Sequence, residues 1–232
     1  MKNIVIIGCG KGIGLAAARL LANQNHITGI SRSEAPELQH PNIDFHRKDI
    51  LTETLDDIVF PDVVDGLIYA PGSINLKPLS RLTEEDFKHD FEINVLGAVK
   101  IIQKLLPHLK KPETASVVLF SSVAAQLGMP FHASVAASKS AVEGLVRSLA
   151  AEFSAQKIRF NAVAPSLTDT SLTAHLLSTP EKREASAKRH PLQRIGSAEE
   201  IAGLAAFLIS DQASWITGQV LGADGGMSRI RL

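Results

Sequence analysis

Three glycines, Gly8, Gly12 and Gly14, are the residues whose type and spacing point most directly to chemistry. They follow a short, nearly all-apolar run, Ile4 to Ile7, and precede Leu15 to Ala22, a stretch dense in Leu and Ala. A strand buried on both faces, a glycine turn and a helix make the first half of a nucleotide-binding βαβ unit. Glycines let the backbone approach a pyrophosphate closely, and the first turn of the helix offers unpaired N–H groups to its oxygens. The same residues could serve a tight turn without a ligand, but the strand before and the helix after favour the nucleotide. Lys11 lies inside this loop, and Ile13 separates its last two glycines. The single cysteine, Cys9, is read as a small residue that fits the turn rather than as a nucleophile.

Four further positions carry candidate chemistry. After the second strand, His26 to Ser31, stand Arg32 and Ser33, where the adenine ribose of a dinucleotide would lie. A carboxylate there would accept from the 2′-hydroxyl of NAD. Two cations, Lys11 and Arg32, with two hydroxyls suit a 2′-phosphate instead, hence NADP(H). Glu34 is near enough to keep NAD(H) as the less favoured cofactor, and both cations could be ordinary surface charges. Asp49 could accept from the adenine amino group or simply cap the turn that follows it. Asn94 falls inside a helix beside its apolar face, where an amide needs partners. Ser122 ends the fifth strand, at the sheet edge where ligands of open parallel sheets sit.

The elements that must position these residues alternate along the chain. Ile43 to His46 is a third strand, reached from the second through Ser33 to Asn42 with one helical turn at most. Asp65 to Ala70 is a fourth strand, running into Pro71-Gly72. Thr83 to Leu109 reads as one long helix, opened by a Thr83/Asp86 capping box and carrying an apolar face from Phe91 to Leu109. Ala115 to Ser121 is the fifth strand, Ala133 to Phe153 an Ala-rich helix carrying Lys139, and Ile158 to Ala164 the sixth strand, ending at Pro165. Ser166 to Pro191 is long, polar and bounded by proline, which predicts a partly helical lid at about residues 166–195. Ser197 and Glu200 cap a last helix, and Gln219 to Leu221 is the last strand. This alternation predicts a doubly wound α/β sandwich in one domain spanning residues 1–232.

The totals narrow the classes of function. The 24 Lys+Arg balance the 24 Asp+Glu, so no overall charge favours nucleic acid or an anionic membrane. One cysteine cannot form an internal disulfide, which suits a reducing compartment. No apolar run reaches membrane-span length and no signal peptide precedes the first strand, so a cytoplasmic protein is expected. The eight histidines lack metal-ligand spacing, and no metal site is expected.

At this point the chain resembles the short-chain dehydrogenase/reductase family, over essentially its whole length. GCGKGIG is similar to the family's glycine loop, with Ile7 where threonine is usual. Asp49-Ile50 resembles its adenine-contacting aspartate and the apolar residue after it. INVLG puts Asn94 on the catalytic asparagine, and FSSVAA puts Ser122 on the catalytic serine. NAVAPSLTDT resembles the segment that holds the nicotinamide amide, which implies cofactor contacts from Pro165, Thr168 and Thr170, with Ser166 in place of a glycine. ITGQVLGADGG resembles the closing signature of the 3-oxoacyl-carrier-protein reductase branch. The resemblance implies a Rossmann-type sheet of seven parallel strands, a small-molecule substrate and a homo-oligomer, tetramer or dimer, beside the NADP(H) that Lys11 and Arg32 already suggest.

Two departures stand out. The family's NNAG reads YAPG, Tyr69 to Gly72, which leaves Ala70 and Gly72 at the cofactor. The YxxxK motif reads VAASK, so Lys139 is present but Val135 replaces the catalytic tyrosine. By the resemblance, that tyrosine protonates the carbonyl oxygen while Lys139 lowers its pKa and grips the nicotinamide ribose. Such general acid catalysis contributes about 10²- to 10⁴-fold. His132, seven residues before Lys139, is a candidate replacement donor, although it also reads as a loop-surface histidine. Ser134, Ser138 and a water are others. The expected function is therefore an NADP(H)-dependent oxidoreductase acting on a carbonyl, alcohol or enone with an atypical proton donor. The alternative is a catalytically impaired NADP(H)-binding protein acting as a sensor or partner subunit.

Overall fold

Apolar runs of four to eight residues flanked by turns pair into the parallel sheet that the alternation predicts. The computed structural model describes residues 1–231. Strands β1 (Asn3–Ile7), β2 (His26–Ser31), β3 (Ile43–Arg47), β4 (Gly66–Tyr69), β5 (Ala115–Phe120) and β6 (Ile158–Pro165) join β9 (Val220–Ala223) in a seven-stranded sheet of order β3-β2-β1-β4-β5-β6-β9. Every pairing is parallel. The order reverses between β1 and β4, and the crevice at their carboxyl ends is the switch point where nucleotides bind in such sheets. A two-residue ladder, β7 (Thr168–Asp169) with β8 (Gly196–Ser197), ties the ends of the segment after β6.

Helices cover both faces because the central strands are apolar on both. On one side α1 (Gly12–Leu21) and α6 (Ala198–Ile209) bury Ala17, Ala18, Ile201, Ala205 and Leu208 against Ile4, Ile6 and Val118. On the other, α3 (Gly97–Leu109) and α4 (Ala133–Glu152) bury Ile101, Leu105, Val142 and Val146 against Val5, Leu67, Val117 and Phe160. Ser197 and Glu200 form the expected capping box at α6. Between β2 and β3 only one helical turn forms, Pro36–Leu38, as the proline-rich sequence predicts. The segment after β6 is partly helical, with α5 at Pro180–Ala187.

The long helix expected from Thr83 to Leu109 is broken. Thr83 and Asp86 do form the capping box, but the helix they open, α2 (Glu84–Phe91), is short, and Glu92–Leu96 is a π-helical turn before α3 begins at Gly97. Periodicity alone could not show this, because one inserted residue shifts the apolar face without erasing it. The turn is pinned by Tyr69, whose buried hydroxyl donates to the Ile93 carbonyl at 2.7 Å. Burial raises the pKa of that phenol. Gly97 makes room for it: a methyl group at Gly97 would sit 2.2 Å from the Tyr69 oxygen.

Gly97→Ala is therefore expected to destabilise the protein by about 1–3 kcal/mol through overpacking. Tyr69→Phe alone should cost about 1 kcal/mol through the lost hydrogen bond. The two changes together should cost less than their sum, because removing the hydroxyl vacates the clash. Urea melts of the three variants measure this, and strict additivity would show that the two residues do not share the space.

Candidate active site

The first half of the site is a crevice along the carboxyl ends of β1 and β4. Gly8 stands at φ +80, in the left-handed region, and its N–H donates to the Ile30 carbonyl at 2.7 Å. A methyl at Gly14 would lie 2.2 Å from the Gly8 carbonyl oxygen, so the start of α1 is pressed onto the loop. Lys11 is the N-cap of α1, and neither a capping side chain nor an acidic residue occupies the first turn. The N–H groups of that turn thus face the crevice without a side-chain acceptor, as an anion site requires.

The cavity there measures about 670 Å³, within the range of cofactor pockets. Its lining includes Gly8, Lys11, Gly12, Ile13 and Gly14 of the loop, Arg32 after β2, and Asp49 and Ile50 after β3. Ala70 and Gly72 after β4 and Thr170 complete it. These donors and cations fit a phosphorylated dinucleotide. Among the described residues neither Lys11 nor Arg32 forms an ion pair, whereas Glu34 turns to Arg47 at 3.6 Å. Asp49 does cap its turn, accepting from the Leu51 N–H at 3.0 Å, and it still lines the cavity. Cys9 is buried, and burial pushes its thiol up to about 12. At that value it stays protonated, consistent with a packing residue.

The second half of the site gathers at Gly72. A methyl there would lie 3.4 Å from the Asn94 Oδ1 and 3.6 Å from the Lys139 Nζ. Strand β4, the π-helical turn and α4 therefore deliver these groups to one point. Asn94 is 2 % exposed. Its amide donates to the hydroxyls of Ser138 at 3.1 Å and Ser73 at 3.3 Å, so the buried amide expected to need partners has them. Lys139 is buried and donates to the Phe120 carbonyl at 2.8 Å, two residues ahead of Ser122. Ser122 Oγ accepts from the Ala124 N–H at 3.2 Å, which leaves its hydroxyl proton free to donate.

Val135 is 3 % exposed and offers no donor. His132 is not brought to the same point. Its Nδ1 lies 2.7 Å from the Pro130 carbonyl, and its ring lines a separate cavity with Lys77 and Met129. Among the described residues no hydrogen bond joins it to Lys139, Asn94 or Ser122. Ser134 turns to Asp90, and Ser138 donates to the Val135 carbonyl while accepting from Asn94. Pro165 ends β6; Thr168 is buried with its hydroxyl on the Ser166 carbonyl; Thr170 shares a hydrogen bond with Thr173. Ser166 pairs with His190 at 2.8 Å.

One buried carboxylate at the site was not singled out from the sequence. Asp90 is wholly buried on α2 and accepts from Ser73 Oγ and Ser134 Oγ, each at 2.6 Å, and from Asn75 Nδ2 at 3.2 Å. Its neighbours Lys88 and His89 are exposed, so the local sequence reads as a solvated face. The available signal was its spacing four residues before Asn94, which places both on one side of a helix.

Burial lowers the Lys139 pKa to about 8, and the negative charge of Asp90 opposes that fall. Among the described residues no group of three or more His, Cys, Asp and Glu is placed to hold a metal ion, and no helix is long and apolar enough to cross a membrane.

The chain is similar to known proteins over most of its length. A family model described as enoyl-(acyl carrier protein) reductase matches residues 8–228. The 3-oxoacyl-(acyl-carrier-protein) reductase FabG of Thermotoga maritima is 34% identical, over 97% of this chain and 97% of that protein. The MabA reductase of the same name from Mycobacterium tuberculosis is 31% identical, over 97% and 92%. A short chain dehydrogenase family protein from Francisella tularensis superposes with a TM-score of 0.88 at 26% identity, covering 99% of this chain and 100% of that one. ElxO, solved with NADP bound, superposes with a TM-score of 0.86 at 28% identity, covering 97% and 98%.

The Lys139 environment has a consequence for stability. Between pH 8 and the ordinary lysine range the unfolded chain holds a proton on Lys139 that the folded chain has released. Stability rises with pH wherever the unfolded state binds more protons. Relative to Lys139→Met, the unmodified protein should therefore gain stability across that window, at up to about 1.4 kcal/mol per pH unit. Urea melts at several pH values test it; parallel curves for the two proteins would mean that Lys139 titrates as a surface lysine.

Proposed function

The chain belongs to the short-chain dehydrogenase/reductase family, and we propose that it is an NADP(H)-dependent oxidoreductase acting on a carbonyl, alcohol or enone with a proton donor other than tyrosine. The observation that carries this reading is the meeting of Asn94 and Lys139 at Gly72, with Lys139 on the carbonyl two residues ahead of Ser122. A bare scaffold does not require three polar groups at the edge of the crevice.

When bound, the nicotinamide supplies or accepts the hydride. The chain's own residues then have separable roles. The loop Gly8 to Gly14 and the start of α1 hold the pyrophosphate, Ile13 included. Lys11 and Arg32 hold the 2′-phosphate, which the absence of ion pairs to either cation among the described residues supports. Asp49 and Ile50 flank the adenine, Ala70 and Gly72 the ribose side, and Pro165, Thr168 and Thr170 the amide. Ser122 donates to the carbonyl oxygen, and Lys139 contacts the ribose and carries a transferable proton beside it. Residues 166–195 close over the substrate. That ElxO was solved with NADP bound supports the cofactor, and the names of FabG and MabA support a 3-oxoacyl thioester among the substrates to try. A cytoplasmic homo-oligomer, dimer or tetramer, completes the proposal; the buried, unpaired Cys9 suits that compartment.

The second reading is an impaired NADP(H)-binding protein, and Val135 is the observation that favours it. Its 3 %-exposed side chain offers no proton donor, and His132 sits at another cavity.

Two experiments separate these readings. Mixed with NADPH and a panel of ketones, 3-oxoacyl thioesters and enones, the protein should consume NADPH with at least one of them. Tight NADPH binding with no turnover would support the second reading, and Val135→Tyr should then restore roughly the 10²-fold or more that a general acid supplies. In a parallel titration NADPH should bind more tightly than NADH. Arg32→Ala and Lys11→Ala should each narrow the gap, by about tenfold or more for a charge-assisted contact. Equal affinities in the unmodified protein would overturn the phosphate-site assignment.

A further inference from the structure

Behind the crevice lie two buried side chains of opposite charge, Lys139 and Asp90. Lys139 has one protein acceptor, the Phe120 carbonyl at 2.8 Å, although an ammonium carries three donors. A buried ammonium held by a single carbonyl is costly unless a negative charge stands near it. Asp90 is that charge. Its carboxylate is wholly buried and is surrounded only by donors, the hydroxyls of Ser73 and Ser134 and the amide of Asn75. The negative charge of Asp90 opposes the release of the Lys139 proton.

One of these links leads back toward Lys139, and another to the helix that carries it. Ser73 also accepts from Asn94, and Asn94 meets Lys139 at Gly72. Ser134 lies next to Val135 in the sequence, so α4 fastens the carboxylate beside the position that lacks a phenol. We propose that Asp90 is a positioning residue, the fixed buried counter-ion that keeps Lys139 charged so that Lys139 can deliver the proton Val135 cannot.

The proton balance is simple. As the hydride reaches the carbonyl carbon, the C=O π pair moves to oxygen; an N–H bond of Lys139 breaks, an O–H bond forms, and Lys139 becomes a neutral amine. It regains a proton from solvent before the next cycle.

No other charge replaces Asp90 in this role. On α2, Asp86 is engaged by Lys77 at 2.8 Å, and Glu84, Glu85, Lys88 and His89 are exposed. The π-helical turn brings only the exposed Glu92. Strand β5 and the turn at Val123–Ala125 bring no charge, and Arg159 of β6 is spent on the carbonyls of Leu208 and Ser210. On α4 itself Glu143 is taken by Ser121 and Gln126, and Arg147 and Glu152 are exposed. With desolvation alone left acting on Lys139, its ammonium would lose its proton at a lower pH than the value of about 8 it has beside Asp90.

The consequence for turnover rests on the oxidoreductase reading, but the charge coupling can be read without it. In protein labelled with ¹³C-lysine, the Lys139 resonance, identified by its loss in Lys139→Met, should titrate near pH 8. In Asp90→Asn it should titrate lower by about one unit, a tenfold change in the protonation constant. NADPH affinity should change little, since Asp90 does not line the crevice. Where a substrate has been found, the alkaline limb of kcat/KM for reduction should move down by the same amount. If Asp90→Asn does not fold, Asp90→Ser gives the same reading. An unshifted Lys139 resonance in the folded variant, or a Lys139 in the unmodified protein that titrates in the ordinary lysine range, overturns the proposal. Loss of NADPH binding by the unmodified protein would instead sink the oxidoreductase reading and leave the coupling standing.

Discussion

A charged ammonium held almost out of water is the constraint on which the reactive end of this molecule depends. Burial pulls the Lys139 proton toward release, and the negative charge of Asp90 pulls it back, while the Phe120 carbonyl accepts from the ammonium. Each of those partners has to be delivered by a different element. The carbonyl belongs to the last residue of β5, the carboxylate to α2, and the lysine to α4. The relative placement of three elements is therefore specified by one polar contact set, and the hydroxyls of Ser73 and Ser134 close the remaining gaps. Among the described residues no buried side-chain nitrogen or oxygen lacks a hydrogen-bond partner, although Lys139 Nζ has only one.

The π-helical turn is the second device. It lets one chain segment serve two purposes that a uniform helix would set in conflict. Helix α3 must keep Ile101, Leu105 and Leu109 on the sheet, while Asn94 must turn toward Gly72. The turn changes the register between those demands, and such turns occur often at functional sites. Tyr69 stabilises it from below, and the absence of a side chain at Gly97 lets the phenol in. The one tyrosine of the chain is thus spent on architecture. Its hydroxyl is buried and donates to a carbonyl, which leaves it no proton to offer a substrate.

Against that background the valine at position 135 changes the division of labour rather than the scaffold. The groups proposed to grip a cofactor and polarise a carbonyl, Asn94, Ser122 and Lys139, are each held by a hydrogen bond that does not involve the side chain at 135. A general acid is worth about 10²- to 10⁴-fold, far less than the whole rate enhancement typical of enzymes. Binding and polarisation can therefore survive the substitution. A lysine with a pKa of about 8 is suited to stand in, because a proton donor works best when its pKa is near the working pH.

Much of this was legible from the order of residues alone. Short apolar runs alternating with helical patterns determine a parallel sheet, because only strands buried on both faces read that way and only crossovers can join them. The positions of the glycine loop, Arg32, Asp49 and Ser122 at the carboxyl edge were equally legible, since each stands at or just after the end of a strand; Lys139 lies inside α4, and only its motif marked it. Tertiary structure decided the rest. Whether Asn94 faced solvent or the site depended on a one-residue insertion in helical register that periodicity averages away. Whether Asp90 was a solvated charge or a buried one depended on Ser134, 44 residues further along the chain. Whether His132 reached the site depended on the path of its loop. In each case the deciding contact is long-range, and a local pattern carries no information about which distant group will arrive to satisfy a buried charge.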